Sequence, residues 1–425
     1  MKNASIVLRL AILLVAGVSC TGSAARTSTD SSPSDTSRAQ APLPVAAALA
    51  DSINTLACDL HAVRATPGNL VDSPLSISAA LGLVYAGAGG ATRAEMRRTL
   101  HLPVNDARAY EGYRALFGHL DAQADRTGSR WTLANRMWVQ KGMTLLPAYV
   151  ATTRNSFRSE AGSLDFRRAA EPARETMNHW VEEKTENRIR DLFPPGSITG
   201  DTRLVLANAI YFKGRWATPF DKENTRPEPF HVSGGEGVEV PTMFLSGRFR
   251  LVRIAGARLL DLPYEGDALS MIVLLPDSVD GLPSIETRLD PDSLRAWTTD
   301  FRTPYTGRAK ADVALPRFTA TSRFDLSKAL AGLGMPSAFN PGTADFSGIT
   351  GGRELSISLV AHQAFVEVNE EGTEAAAATG VVATVTSAAR IEAFRVDRPF
   401  LFFIQERSSG CVLFAGRIVD PRGGP

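Results

Sequence analysis

Catalysis needs a nucleophile, base, metal cage or phosphate cradle at a recognisable spacing. This chain has no G-x-S-x-G elbow, H-E-x-x-H pair, P-loop or G-x-G-x-x-G turn. Its six His (His61, His101, His119, His179, His231 and His362) lie at no metal-ligand spacing from one another or from a Cys, so no metal site is expected. Cys58 and Cys411 sit in apolar contexts and read as inert core thiols. Glu182, Glu183 and Asp191 fit a solvated helix face. The chain reads as neither an enzyme nor a cofactor carrier. Asn208 lies inside the apolar run Leu204–Phe212. Buried there, its amide needs partners or costs about 1–3 kcal/mol, so it reads as a structural residue.

The segment with unusual chemistry is 366–386. Glu374 to Ala378 favours a helix by composition, because Ala is the best helix former. Val381, Val382, Thr384, Val385 and Thr386 then favour a strand. Composition leaves helix, loop and strand open. As a strand, it puts Thr373, Ala375, Ala377, Thr379 and Val381 on one face and Glu374 on the other. Small residues on one face let such a strand slide between two others.

The surrounding elements read as helices first and strands later, an α+β order. Ser76–Ala88 has helical spacing of apolar residues, and Ala173–Arg190 is amphipathic. Thr92, Arg93, Ala94 and Glu95 spell a capping box that opens a helix ending near Leu100. Leu204–Phe212 reads as a central strand covered on both faces. Ser270–Leu275, Phe365–Val368, Pro399–Ile404 and Cys411–Ala415 read as further strands.

Forty-six basic and 45 acidic residues leave a net charge of +1, which argues against nucleic acid as a partner. Three Cys cannot build a disulfide scaffold. Lys2 and Arg9 precede an apolar stretch, Leu10 to Val18, whose length of about ten residues suits a secretory signal rather than a membrane span. It ends Gly17, Val18, Ser19, Cys20, resembling a bacterial lipoprotein signal in which Cys20 is lipidated, although Gly17 stands where a large aliphatic residue is usual. Residues 21–44 are rich in Ser, Thr, Ala and Pro and read as a flexible tether. The expected layout is a signal over 1–20, a linker over 21–44 and one domain over 45–425. The expected location is extracellular or cell-envelope.

Glu370, Glu371, Gly372, Thr373, Glu374, Ala375, Ala376, Ala377, Ala378 and Thr379 resemble the hinge of the inhibitory serpins nearly letter for letter. Asn69 to Ser78, Leu206 to Trp216, Leu262 to Tyr264, Leu274 to Pro276, Leu315 to Phe318, Ala344 to Gly348, Asp397 to Phe402 and Gly416-Arg417 match further serpin motifs in the right order. The resemblance covers about residues 48–421.

The resemblance implies a metastable α+β fold with three β-sheets, eight or nine helices and an exposed reactive-centre loop. A target serine protease would cleave the loop and be held as an acyl-enzyme while the loop enters the main sheet as a new strand. A dozen or so new hydrogen bonds at about 0.5–1.5 kcal/mol each would drive insertion by on the order of 10–20 kcal/mol. By the same resemblance Ser73, Ser76, Asn208 and His362 form the cluster that governs sheet opening, and Trp216 lies under the point of loop entry. Asp72 departs from the pattern, which favours an apolar residue; buried, its carboxylate needs a partner.

In the family the scissile bond follows the seventeenth residue from the first hinge Glu, which here gives Thr386, with Ser387 after it. A shift of one gives Val385. Small uncharged residues suit elastase-like or subtilisin-like pockets; Arg390, the basic alternative for a trypsin-like pocket, lies four residues late. The expected partner is a protease, with possible membrane attachment through Cys20 and a monomeric state. The alternatives are a non-inhibitory binding or carrier serpin, or an inhibitor of papain-like cysteine proteases.

Overall fold

The computed structural model of the protein describes residues 44–64, 67–127, 129–232, 237–302, 307–373 and 391–423. The signal, Cys20 and tether before Pro44 lie outside the described residues. So do Glu374, Ala375, Ala376, Ala377, Ala378, Thr379, Val385, Thr386 and Ser387.

The helix Pro74–Tyr85 is buried at every position and apolar all round, as a helix at the centre of a large domain must be. Ser73 caps it, its side chain accepting the Ser76 N–H, and Pro74 stands where a missing N–H costs nothing. Around it pack Pro44–Val63, which buries Leu49, Ile53, Leu56 and Leu60, and Asp106–Thr127, which buries Tyr113, Leu116, Phe117 and Leu120.

The main sheet has six strands in the order Phe318–Asp325, Ile357–Asn369, Gly372–Thr373, Leu204–Arg215, Arg130–Gln140, Glu160–Leu164. The central strand Leu204–Arg215 explains its own apolar run. Leu204, Leu206, Ile210 and Phe212 enter the main core, while Val205, Ala207 and Ala209 pack into a second cluster with Met177 and Val181 of the helix Ala170–Lys184. Asn208 shares the parity of the first set and faces the helix Pro74–Tyr85.

Three sheets were expected, and two continuous ones are described. The second has nine strands. Its long strand Gly237–Ile254 pairs with Arg226–His231 and Arg308–Pro316 through its first part and with Ala257–Pro263 through its last, fusing what would be two sheets. Ten α-helices are described rather than eight or nine; short ones such as Leu282–Glu286 and Ser347–Thr350 make the surplus.

Two helix boundaries also differ. The capping box is not one: the helix starts at Gly90, and Thr92 is buried inside it, accepting the Asp345 N–H at 3.0 Å. Glu95 reaches away to accept from the Ser337 N–H and hydroxyl at 2.9 and 2.8 Å. The amphipathic helix runs Ala170–Lys184 rather than 173–190. Thr185 ends it by donating its hydroxyl to the Val181 carbonyl at 2.8 Å, and Glu186 and Asn187 take φ of 50° and 60°.

Candidate functional site between the two central strands

The strands Leu204–Arg215 and Ile357–Asn369 pair in parallel from Leu204 and Ile357 up to Tyr211 and Phe365. Beyond that point another strand stands between them. Gly372 and Thr373 run antiparallel to both, Thr373 opposite Val368 and Gly214, Gly372 opposite Asn369 and Arg215. The chain turns back at Glu370-Glu371 and enters the gap before leaving the described residues at Thr373. It re-enters at Ile391 and joins the nine-stranded sheet through Glu392–Arg395.

The entry point is tightly built. Trp216 donates its backbone N–H to the Glu371 carbonyl and its indole N–H to the Asn369 carbonyl, both at 2.9 Å, and Phe220 N–H donates to the Glu370 carbonyl at 2.8 Å. The Trp216 ring stacks on Tyr264 at 4.7 Å, and the Tyr264 hydroxyl meets the buried Thr373 hydroxyl at 2.7 Å. Glu370 is 1 % exposed, yet accepts from the Thr225 hydroxyl and from Arg317. Burial alone would raise its pKa; bonds from Thr225 and Arg317 outweigh it and hold the carboxyl below its ordinary range. Glu371 pairs with Lys222. Gly372 has φ of 150°, and a Cβ there would stand 2.0 Å from the Gly214 carbonyl oxygen, so only glycine fits.

Further down, Ser73, Ser76, Asn208 and His362 lie together across the parallel ladder. The Asn208 amide donates to the Ser76 carbonyl at 2.7 Å and the Ser76 hydroxyl at 2.5 Å. Ser73 N–H donates to His362 Nε2 at 3.4 Å, and the Ser73 hydroxyl donates to the Leu413 carbonyl at 2.6 Å. Nε2 is therefore an acceptor, which makes Nδ1–H the donor to Asn208 Oδ1. Burial, with Arg64 adding to it, pushes the His362 pKa down to about 3, so the ring is neutral.

Reading the sequence missed Asn135, Tyr264, Arg317 and Thr225. Asn135 donates to the Ser76 carbonyl at 3.1 Å and accepts from Asn208. Its signal was available: it shares a strand face with Met137 and Val139, both buried. Arg317 stands in the Leu315–Phe318 motif, which gave the resemblance but no role for its guanidinium, and Thr225 sits among polar residues that mark nothing. Asp72 is buried and pairs with Arg64. Cys58 and Cys411 are buried, and burial raises both thiols, Cys58 to about 12.

Two outcomes follow. Gly372→Ala forces backbone apart and should cost about 1–3 kcal/mol of stability. Hydrogen exchange of the Trp216 and Phe220 amides should rise with it; unchanged exchange would show that the hinge is not seated there. His362 stays neutral when folded but takes a proton in the unfolded chain below about pH 6.5. Its contribution is therefore fully present above that pH and lost at about 1.4 kcal/mol per unit as pH falls toward 3. Denaturation midpoints at pH 7.5 and 5 should differ in the native chain, and by less in His362→Gln.

The profile of the family described as "Serpin (serine protease inhibitor)" matches residues 52–421. Human leukocyte elastase inhibitor is 39% identical over 362 residues, 83% of this chain and 93% of that protein. Serpin B6 of Macaca fascicularis is 40% identical over 359 residues, again 83% and 93%. Among solved structures, Serpin48 of Tenebrio molitor superposes with a TM-score of 0.77 at 31% identity, covering 88% of this chain and 98% of that one. Uncleaved ovalbumin superposes with a TM-score of 0.77 at 31% identity, covering 89% and 100%. With a profile matched over most of its length and relatives this similar, the chain belongs to the serpin family.

Proposed function

We propose that this chain inhibits serine proteases as a suicide substrate, with the segment after Thr373 as the bait. The observation that carries the reading is the hinge: Gly372 and Thr373 already stand between the central strands. The residues that would follow them inward, Ala375, Ala377 and Thr379, are small. A protease serine attacks the Thr386 carbonyl, the bond to Ser387 breaks, and the Ser387 amine leaves with the proton. The enzyme stays esterified to Thr386. The freed strand then zips downward, exchanging the parallel ladder for two antiparallel ones. Insertion worth on the order of 10–20 kcal/mol exceeds or matches the stability of a typical protease, about 5–15 kcal/mol.

The target class follows from the bait. Val385 and Thr386 are small and β-branched, which suits a shallow elastase-like or subtilisin-like pocket. That a similar human protein is named for inhibiting an elastase supports the same class. A trypsin-like pocket would leave its carboxylate unpaired against Thr386. The protein works as a monomer, secreted or held at a bacterial cell envelope through lipidated Cys20, with residues 21–44 giving reach.

Incubation with elastase-, subtilisin-, chymotrypsin- and trypsin-like enzymes should give a denaturant-stable complex with the first two and release a peptide starting at Ser387. A peptide starting at Ile391, with a complex formed only by trypsin-like enzymes, would contradict the assignment. Thr373→Arg would put an unpaired charge against Tyr264 and should turn the inhibitor into a plain substrate. Cys20→Ala should abolish membrane partitioning; equal partitioning of both forms would reject the anchor.

A further inference from the structure

Arg64 follows the helix Pro44–Val63 and is buried, although a guanidinium is among the costliest groups to remove from water. Its Nε–H donates to the Leu60 carbonyl at 2.9 Å, and it forms an ion pair with Asp72. Its Nη1 is buried without a hydrogen-bond partner, so the cation is only partly compensated. The guanidinium lies 4.9 Å from the centroid of the Phe324 ring. The same ring stacks on His362 at 6.4 Å with 9° between planes, and the two residues are register partners on neighbouring strands. Asp72 in turn directly precedes Ser73, whose N–H donates to His362. Both members of the pair thus reach the same imidazole, Arg64 through a ring and Asp72 through the backbone.

We infer that Arg64 and Asp72 position His362 and so set how the resistance of the two central strands to parting changes with pH, a role that rests on the insertion reading above. His362 spans the junction that must open, since it is paired with Asn208 in the parallel ladder and bonded to its side chain. An imidazolium would face the Arg64 cation and could no longer accept the Ser73 N–H. Arg64 is the described cation bearing on the ring, and Asp72 is the carboxylate that offsets it. Asp325, opposite Ala361, is exposed, and Ser73 and Asn208 are uncharged. The pair therefore favours the neutral ring with Nε2 accepting and Nδ1–H donating, the one arrangement that satisfies both sides of the gap.

The test uses the full chain with isotope-labelled His, as wild type, as Arg64→Met with Asp72→Leu, and as Arg64→Met alone. Removing a buried pair together is commonly tolerated, so the double variant should fold. By NMR, the His362 midpoint should rise by about one pH unit or more in the double variant. It should rise also in Arg64→Met, which removes the same cation; this single variant alone carries the test if the double fails to fold. Amide exchange of Ala207–Ala209 and Ala361–Ala364, corrected for intrinsic rates, should match wild type within about twofold at pH 8 and fall about threefold below it near pH 3.5, because a higher closed-state midpoint leaves less proton uptake to drive opening. Unchanged titration, or exchange raised by one factor at every pH, would overturn the role. Uptake of a synthetic Thr373–Thr386 peptide by the intact wild type tests the insertion reading separately. Its absence would reject insertion while leaving the exchange result to decide the positioning role.

Discussion

The parallel pairing of Leu204–Arg215 with Ile357–Asn369 is the interaction on which the rest of the molecule depends. A parallel pair is slightly weaker per residue than an antiparallel one. A strand entering between them would replace one parallel ladder by two antiparallel ladders. On the proposed insertion, the closed fold would be the weaker of two arrangements open to the same backbone. What keeps it closed is local: the Asn208, Asn135 and Ser76 amide and hydroxyl contacts on one side of the gap, and His362 with Ser73 on the other.

The entry point shows the complementary constraint. A hinge that begins inserted must be seated firmly enough not to run in, and freely enough to continue. Three features divide the task. Gly372 allows backbone to pass within reach of Gly214. Glu370 ties the turn to Arg317 and Thr225. The Trp216–Tyr264 stack gives Thr373 a hydroxyl partner that a longer side chain would displace. Under the proposed insertion, loop entry would therefore start from a defined register rather than from an open end.

Much of this was legible in the order of residues, for physical reasons. A short, β-branched and aromatic apolar run with no alternation suits a strand covered on both faces, and Leu204–Phe212 lies in one. Asn208 inside that run implied partners, which it has. The α+β order and the family follow from motifs spread along the chain. The illegible parts are those where tertiary contacts compete with local rules. Thr92 and Glu95 have the spacing of a cap but spend their oxygens on Asp345 and Ser337, far along the chain. Nothing local marks Arg64 as the partner of Asp72, because an Arg after a helix end is ordinarily solvated. The fusion of two sheets through Gly237–Ile254 depends on which neighbour each half meets, which no local pattern encodes.

The most direct test is the crystal structure of the chain after cleavage in the bait segment. The account predicts that Thr373 onward will lie as a full antiparallel strand between Leu204–Arg215 and Ile357–Asn369. Asn208 and His362 will then be separated by the new strand, and the cleaved form will unfold at a much higher temperature than the intact one. A cleaved structure that keeps the His362–Asn208 pairing, with unchanged thermal stability, would contradict it.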